Sequence, residues 1–118
     1  MQLSQPVLSR LQVLDVFRDI DSTSNHLKRS RSSLPVNALS ACVAEWQSAG
    51  RGRRGRRWVS PYGANLYLSF AAQVSEATVA SGGLSLVVAV AVAEALQSCG
   101  VKDLGLKWPN DIFIKGRK

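Results

Sequence analysis

Residues 50–58 read Gly-Arg-Gly-Arg-Arg-Gly-Arg-Arg-Trp, five arginines and three glycines in nine positions. Guanidinium groups grip carboxylate and phosphate oxygens through paired hydrogen bonds. The intervening glycines let backbone N–H groups approach the same anion. Like charges repel, and glycine is entropically costly to order. The stretch is therefore expected to be a mobile loop that orders around a multiply charged ligand. On these residues alone, a solvated basic loop or a loose nucleic-acid patch serves equally well. Gly50 to Gly55 also spells G-x-G-x-x-G, but a dinucleotide-binding turn must open a helix. Here Pro61 and Gly63 follow closely and make a turn instead.

Other residue groups with chemical potential are few. Asp21-Ser22-Thr23-Ser24-Asn25 clusters short polar side chains, and either Ser22 or Thr23 suits a helix N-cap. Those hydroxyls could face an anion at a helix N-terminus, although capping explains them as well. His26 is the single histidine, which makes a histidine-built metal centre a poor reading. It reads as a solvated helix residue. Cys42 and Cys99 lie in apolar surroundings at no metal-ligand spacing and read as reduced thiols of a cytoplasmic protein.

The 118 residues bound the chain to at most one domain with a modest core. The formal charge is +7, from 15 basic and 8 acidic side chains. Five of those basic groups are the arginines of the loop, so the excess is local. A local patch argues for a site, whereas diffuse basicity would argue for general nucleic-acid affinity. The N-terminus lacks the basic-then-apolar order of a signal peptide. The longest apolar run, Leu84 to Leu96, is too short to span a bilayer and contains Glu94. No membrane association is expected.

The elements that must position these groups follow from periodicity. Val7 to Leu14 has the spacing of a short helix, and Asp15 to Ile20 that of a strand. A helix is expected from Ser22 or Thr23 to about Arg31. Ala41–Trp46 reads as a buried strand that delivers Gln47 to the arginine loop. Asn65–Val74 reads as a strand with Leu66, Leu68 and Phe70 on one face, Tyr67 and Ser69 on the other. The loop thus sits between two strands at the end of a sheet. Gly82-Gly83 precedes a helix, Leu84–Cys99, that is apolar almost all round and is expected to be buried against that sheet. Ile112–Ile114 reads as a short strand without a partner, an exposed edge. From this the chain is expected to be a fragment, or to have its sheet completed by something else.

Asp21-Ser22-Thr23, then Gln47 before Gly50-Arg51-Gly52-Arg53-Arg54-Gly55-Arg56, then Lys107-Trp108-Pro109-Asn110-Asp111, resemble the biotin protein ligases in order and spacing. The likeness runs from about Val7 to Lys118. It implies an α/β (α+β) fold, a mixed sheet packed by helices of the kind seen in class II aminoacyl-tRNA synthetases and biotin/lipoate ligases. It also implies that residues 1–118 are the N-terminal part of the catalytic domain, truncated at its C-terminus, without a winged helix or a C-terminal barrel.

The resemblance further implies an activity. ATP-dependent formation of biotinyl-5′-AMP would be followed by transfer of biotin to a lysine of a biotin carboxyl carrier protein, that of acetyl-CoA carboxylase. Ser22, Thr23 and Ser24 would contact biotin, Ser24 standing where the family commonly has asparagine. Gln47 would meet the biotin head group. Gly50, Arg51, Gly52 and Arg53 would lie over the carboxylate and phosphate, with Arg53 also catalytic. Arg54, Arg56, Trp58 and Asn110 would hold the adenylate. Asp111 would lie near the phosphates or their Mg2+. Lys118 would reach the activated carboxyl as a catalytic residue; without the resemblance it reads as a solvated terminal side chain. DNA binding is not expected, and a homodimer is left open. Two other readings stand beside this one: a lipoate–protein ligase of the same architecture, and an RNA-binding module built on the arginine-glycine loop.

Overall fold

The computed structural model describes residues 9–33, 38–80, 82–109 and 111–117. The chain divides into two compact units, Met1–Gln73 and Val74–Lys118.

The first unit is built on a strand–helix–strand crossover. Strand β1 (Leu11–Ile20) leads through helix α1 (Thr23–Arg29) to β2 (Leu39–Gln47), which runs parallel to it. Strand β3 (Tyr67–Ala72) then pairs antiparallel with the other edge of β2. The order β1-β2-β3 makes β2 the central strand. The register places Asp15, Cys42 and Ser69 in one row and Phe17, Ala44 and Tyr67 in another. This face carries Cys42, Ala44 and Tyr67 as buried core residues, as is Leu27 of α1. Burial pushes the Cys42 thiol up, with Asp15 and Asp21 adding to it. The opposite face bears Leu14, Val16, Leu68 and Phe70, all exposed.

Two expectations change here. The helical spacing over Val7–Leu14 gives way to strand from Leu11, because pairing with Leu39 and beyond supplies a hydrogen-bonding partner that local periodicity does not register. The alternation in β3 is as read, but its buried side is the Tyr67 side. The phenol of Tyr67 donates to the Pro61 carbonyl at 2.7 Å, so its polar tip is satisfied inside. His26 is not simply solvated: its Nε2 lies 2.8 Å from Asp15 Oδ2, and its ring meets Phe17 edge-on at 4.9 Å.

The second unit contains helices α2 (Glu76–Ala80) and α3 (Leu84–Ser98) and an antiparallel hairpin of β4 (Leu104–Lys107) and β5 (Asp111–Ile114). Helix α3 packs on β4 and β5. Only Ala89 and Ala93 of α3 are buried, whereas Leu84, Leu86, Val87, Val88, Val90 and Val92 are exposed. The expectation of burial all round is thus corrected, since two four-residue strands are too narrow to cover every side of a helix. The expectation of a partnerless Ile112–Ile114 is corrected too: its partner is upstream, with Leu106 opposite Ile112 and Leu104 opposite Ile114. After β5 the chain makes a two-residue turn through Lys115 (φ 51°) and Gly116 (φ 75°), closed by two hydrogen bonds between Ile114 and Arg117. Positive φ at both central residues is the turn geometry that matches strand twist. Among the described residues no helix is long and apolar enough to cross a membrane.

Candidate functional site

At the C-terminal ends of the parallel strands, β1 passes into α1 and β2 passes into the arginine segment. Ser22 is extended and caps α1, its Oγ accepting from Asn25 N at 3.4 Å. The ladder continues past the strands, with Ser48 N donating to Ile20 O and Ala49 N to Asp21 O. Asp21 is held from its other side by Arg29, whose two guanidinium nitrogens donate to the carboxylate at 2.7 and 3.0 Å. That pairing, with a hydrogen bond from the Ser22 backbone, holds the Asp21 carboxyl well below the usual carboxylate range.

A directed chain of side-chain hydrogen bonds links these elements. Thr23 donates to Gln47 Oε1 twice, from its backbone N at 2.9 Å and from its hydroxyl at 3.1 Å. The hydroxyl has then spent its only hydrogen, so Ser69 of β3, 2.8 Å away, donates to it. Gln47 Nε2 donates onward to Ser60 Oγ at 3.1 Å, and Ser60 donates to the Trp58 carbonyl at 3.4 Å. Ser22, Thr23, Gln47 and Ser60 are all buried. A buried amide with both ends satisfied is fixed in orientation.

The segment Gly50–Trp58 is a narrow hairpin. Trp58 N donates to Gly50 O at 2.9 Å, and Gly52 N to Arg56 O at 2.8 Å. Arg51 pairs with Arg57 as an antiparallel bridge. Arg53–Gly55 forms one 3₁₀ turn at the tip, with Arg54 at φ 58° and Gly55 at φ 73°. The segment makes backbone bonds across the hairpin and is anchored on the Gln47–Ser60 pair, a local geometry that its charge and glycine content do not announce. Gly50 is closely packed. A Cβ there would sit 3.0 Å from Ser60 Oγ, 3.0 Å from Trp58 O and 3.1 Å from Gln47 Nε2. Gly52 is different, since a Cβ there would meet only ordinary contacts of 3.4 Å or more.

Between α1, β2, β3 and the hairpin lies a cavity of about 200 Å³. Ser22, Thr23, Ser24, Gln47, Arg51 and Trp58 line it, together with Leu66, Tyr67, Leu68 and Ser69. Six of the residues singled out in the sequence therefore share one cavity wall. Gly50 and Gly52 shape the hairpin above it. Arg53, Arg54 and Arg56 stand on the exposed hairpin beyond the lining. Asp111 opens β5 in the second unit and is half-buried. Asn110 and Lys118 lie outside the described residues. Leu66, Tyr67, Leu68 and Ser69 were missed as lining residues. Tyr67 and Ser69 had one legible signal, hydroxyls sharing one face of an otherwise apolar strand.

The sequence matches the family model of the biotin/lipoate A/B protein ligases over residues 16–118. The chain belongs to that family. It is 46% identical over 99 residues to the bifunctional ligase/repressor BirA of Escherichia coli, a match covering 84% of this chain and 30% of the relative. Among solved structures it is similar to the Aquifex aeolicus biotin protein ligase in complex with biotin and ATP, with a TM-score of 0.68 and 34% identity. That match covers 87% of this chain and 42% of the other. The Leishmania major biotin protein ligase in complex with biotinyl-5-AMP is matched with a TM-score of 0.68 and 28% identity, over 89% and 48% of the two chains. The chain thus spans between about a third and a half of these relatives' lengths, and its mixed α+β architecture is theirs.

Proposed function

We propose that this chain carries the biotin and adenylate site of an ATP-dependent biotin–protein ligase. The observation that supports this most is a fixed polar floor, Ser22, Thr23, Gln47 and Ser69, beneath a hairpin that presents Arg51 to the same cavity. A ureido head group offers two N–H donors and one carbonyl acceptor, which suits a wall of hydroxyls and one oriented amide. Leu66 and Leu68 offer an apolar flank to the rest of the ligand.

In the first step the biotin carboxylate oxygen attacks the α-phosphorus of ATP and pyrophosphate departs, giving biotinyl-5′-AMP. Two anions must approach one another, and Arg51 and Arg53 neutralise them. Arg54, Arg56, Trp58 and Asn110 hold the nucleotide. In the second step a lysine amine of a biotin carboxyl carrier protein attacks the acyl carbon and AMP departs, with Lys118 stabilising the charge on the carboxyl oxygen. A hairpin closed over the mixed anhydride shields it from water.

Among the described residues no cluster of three potential metal ligands occurs. A single carboxylate, Asp111, fits a Mg2+ ion carried in on nucleotide phosphates, which typically needs only one or two protein carboxylates. Bound there, the ion would share the phosphate charge. Reduced Cys42 and Cys99 suit a cytoplasmic location. The decisive assay is pyrophosphate release with ATP by this chain extended to the length of its relatives, run with biotin, with lipoate and with neither. Biotin-dependent release is expected. Lipoate-dependent release alone would replace the substrate, and release with neither would remove the proposal.

A further inference from the structure

The backbone N–H of Thr23 can only donate, so the Gln47 atom it reaches at 2.9 Å is the amide oxygen. The hydroxyl of Thr23 donates to the same oxygen. Two donors therefore hold one end of the Gln47 amide, and Nε2 faces the other way. It faces Ser60, whose Oγ accepts from it at 3.1 Å. The hydrogen of Ser60 is left to reach the Trp58 carbonyl, 3.4 Å away at the base of the hairpin. Ser60 is 5% exposed and lies outside the lining of the cavity to which Gln47 belongs. It has no access to a ligand there except through Gln47.

We propose that Ser60 is a positioning residue for biotin recognition, an inference that rests on the ligase reading above. An amide held at its oxygen alone can still turn about that end. By accepting from Nε2, Ser60 removes this freedom and fixes the plane of the amide that the cavity wall presents to the biotin head group. A side chain that reads donors and acceptors selects well only when a second set of bonds locks its rotamer. Buried Nε2 would otherwise lose a hydrogen bond that water does not replace.

The test compares Ser60→Ala with the parent, both in the chain extended to the length of its relatives. Selective 15N labelling of glutamine follows hydrogen exchange at the Gln47 side-chain amide, and calorimetric titration measures biotin and ATP separately. In the parent the Gln47 side-chain hydrogens should exchange slowly with water. In Ser60→Ala that protection should be lost, while the Thr23 backbone amide, still bonded to Oε1, keeps its own. Biotin should bind about tenfold more weakly, the worth of one hydrogen bond, and ATP within about twofold of the parent. A merely structural role for Ser60 predicts instead that biotin and ATP weaken together and that Thr23 loses protection along with Gln47; that result overturns the proposal. Unchanged biotin affinity in Ser60→Ala overturns it as well. So does fast exchange of the Gln47 side chain in the parent, a result that needs no variant to fold. If the parent binds no biotin at all, the ligase reading itself falls, whereas a parent that binds biotin and a variant that matches it sink only the role of Ser60.

Discussion

The floor of the candidate site and the hairpin above it are built by opposite means. The floor is side chain on side chain: Ser69, Thr23, Gln47 and Ser60 form one buried line of hydrogen bonds that crosses from β3 through α1 and β2. The hairpin is backbone on backbone, and its arginine side chains are exposed. A floor of this kind selects by shape and donor–acceptor pattern, because changing any member strands its neighbours. A charged hairpin selects by sign of charge and tolerates rearrangement. The two meet at Gly50, packed against both Gln47 and Ser60.

The largest effects are expected in the floor. Gln47→Leu removes the acceptor shared by the Thr23 N–H and hydroxyl and leaves buried donors unpaired. A loss of about 2–4 kcal/mol in unfolding free energy is expected from that, together with loss of biotin binding; urea denaturation and calorimetric titration measure the two. Gly50→Ala should cost about 1–3 kcal/mol through overpacking and weaken both biotin and ATP binding, since floor and hairpin are pushed apart. If Gly50→Ala impaired ATP binding alone, the two regions would be independent.

Much of this contrast was legible in the sequence. Ser22, Thr23, Ser24, Gln47, Arg51 and Trp58 were all singled out, and they share a cavity wall. What the sequence left out was physical detail that lies in pairing. The role of Ser69 depends on the antiparallel register that places it opposite Cys42. The strand character of Leu11–Leu14 depends on β2, some 28 residues later in the register. The hairpin closes on bonds such as Trp58 N to Gly50 O, with Gly50 packed closely against Ser60. The exposed Leu14, Val16, Leu68 and Phe70 show that apolar alternation locates a strand but does not say which face is covered.

Smaller effects are expected on the hairpin. Arg56→Ala should change stability by no more than about 0.5 kcal/mol, as for an ordinary surface site, while weakening biotinyl-5′-AMP about tenfold, the worth of one charge-assisted hydrogen bond, and leaving biotin alone unaffected. Raising salt from about 0.1 to 1 M, which shortens the screening length from roughly 10 to 3 Å, should weaken nucleotide binding more than biotin binding, because biotin brings a single carboxylate and ATP several phosphate charges. The smallest effect concerns Asp21. Its carboxyl titrates lower folded than unfolded, so the pairing with Arg29 stabilises the chain above about pH 4, the unfolded value. That contribution is lost as pH falls toward the depressed folded value. Arg29→Gln should slightly lower the unfolding free energy at pH 7, as expected for an exposed pair, and the difference from the parent should shrink as pH falls below about 4, which denaturant titrations at several pH values measure.

Amide hydrogen exchange under four conditions tests the central claim most directly: no ligand, biotin, ATP, and both. The floor–hairpin division predicts that biotin alone slows exchange at Thr23 and along the end of β2, and that the Gly52 and Trp58 amides are further protected only when biotin and ATP are present together. Equal exchange at Gly52 and Trp58 in all four conditions, or protection of the hairpin with no change at Thr23, would contradict it.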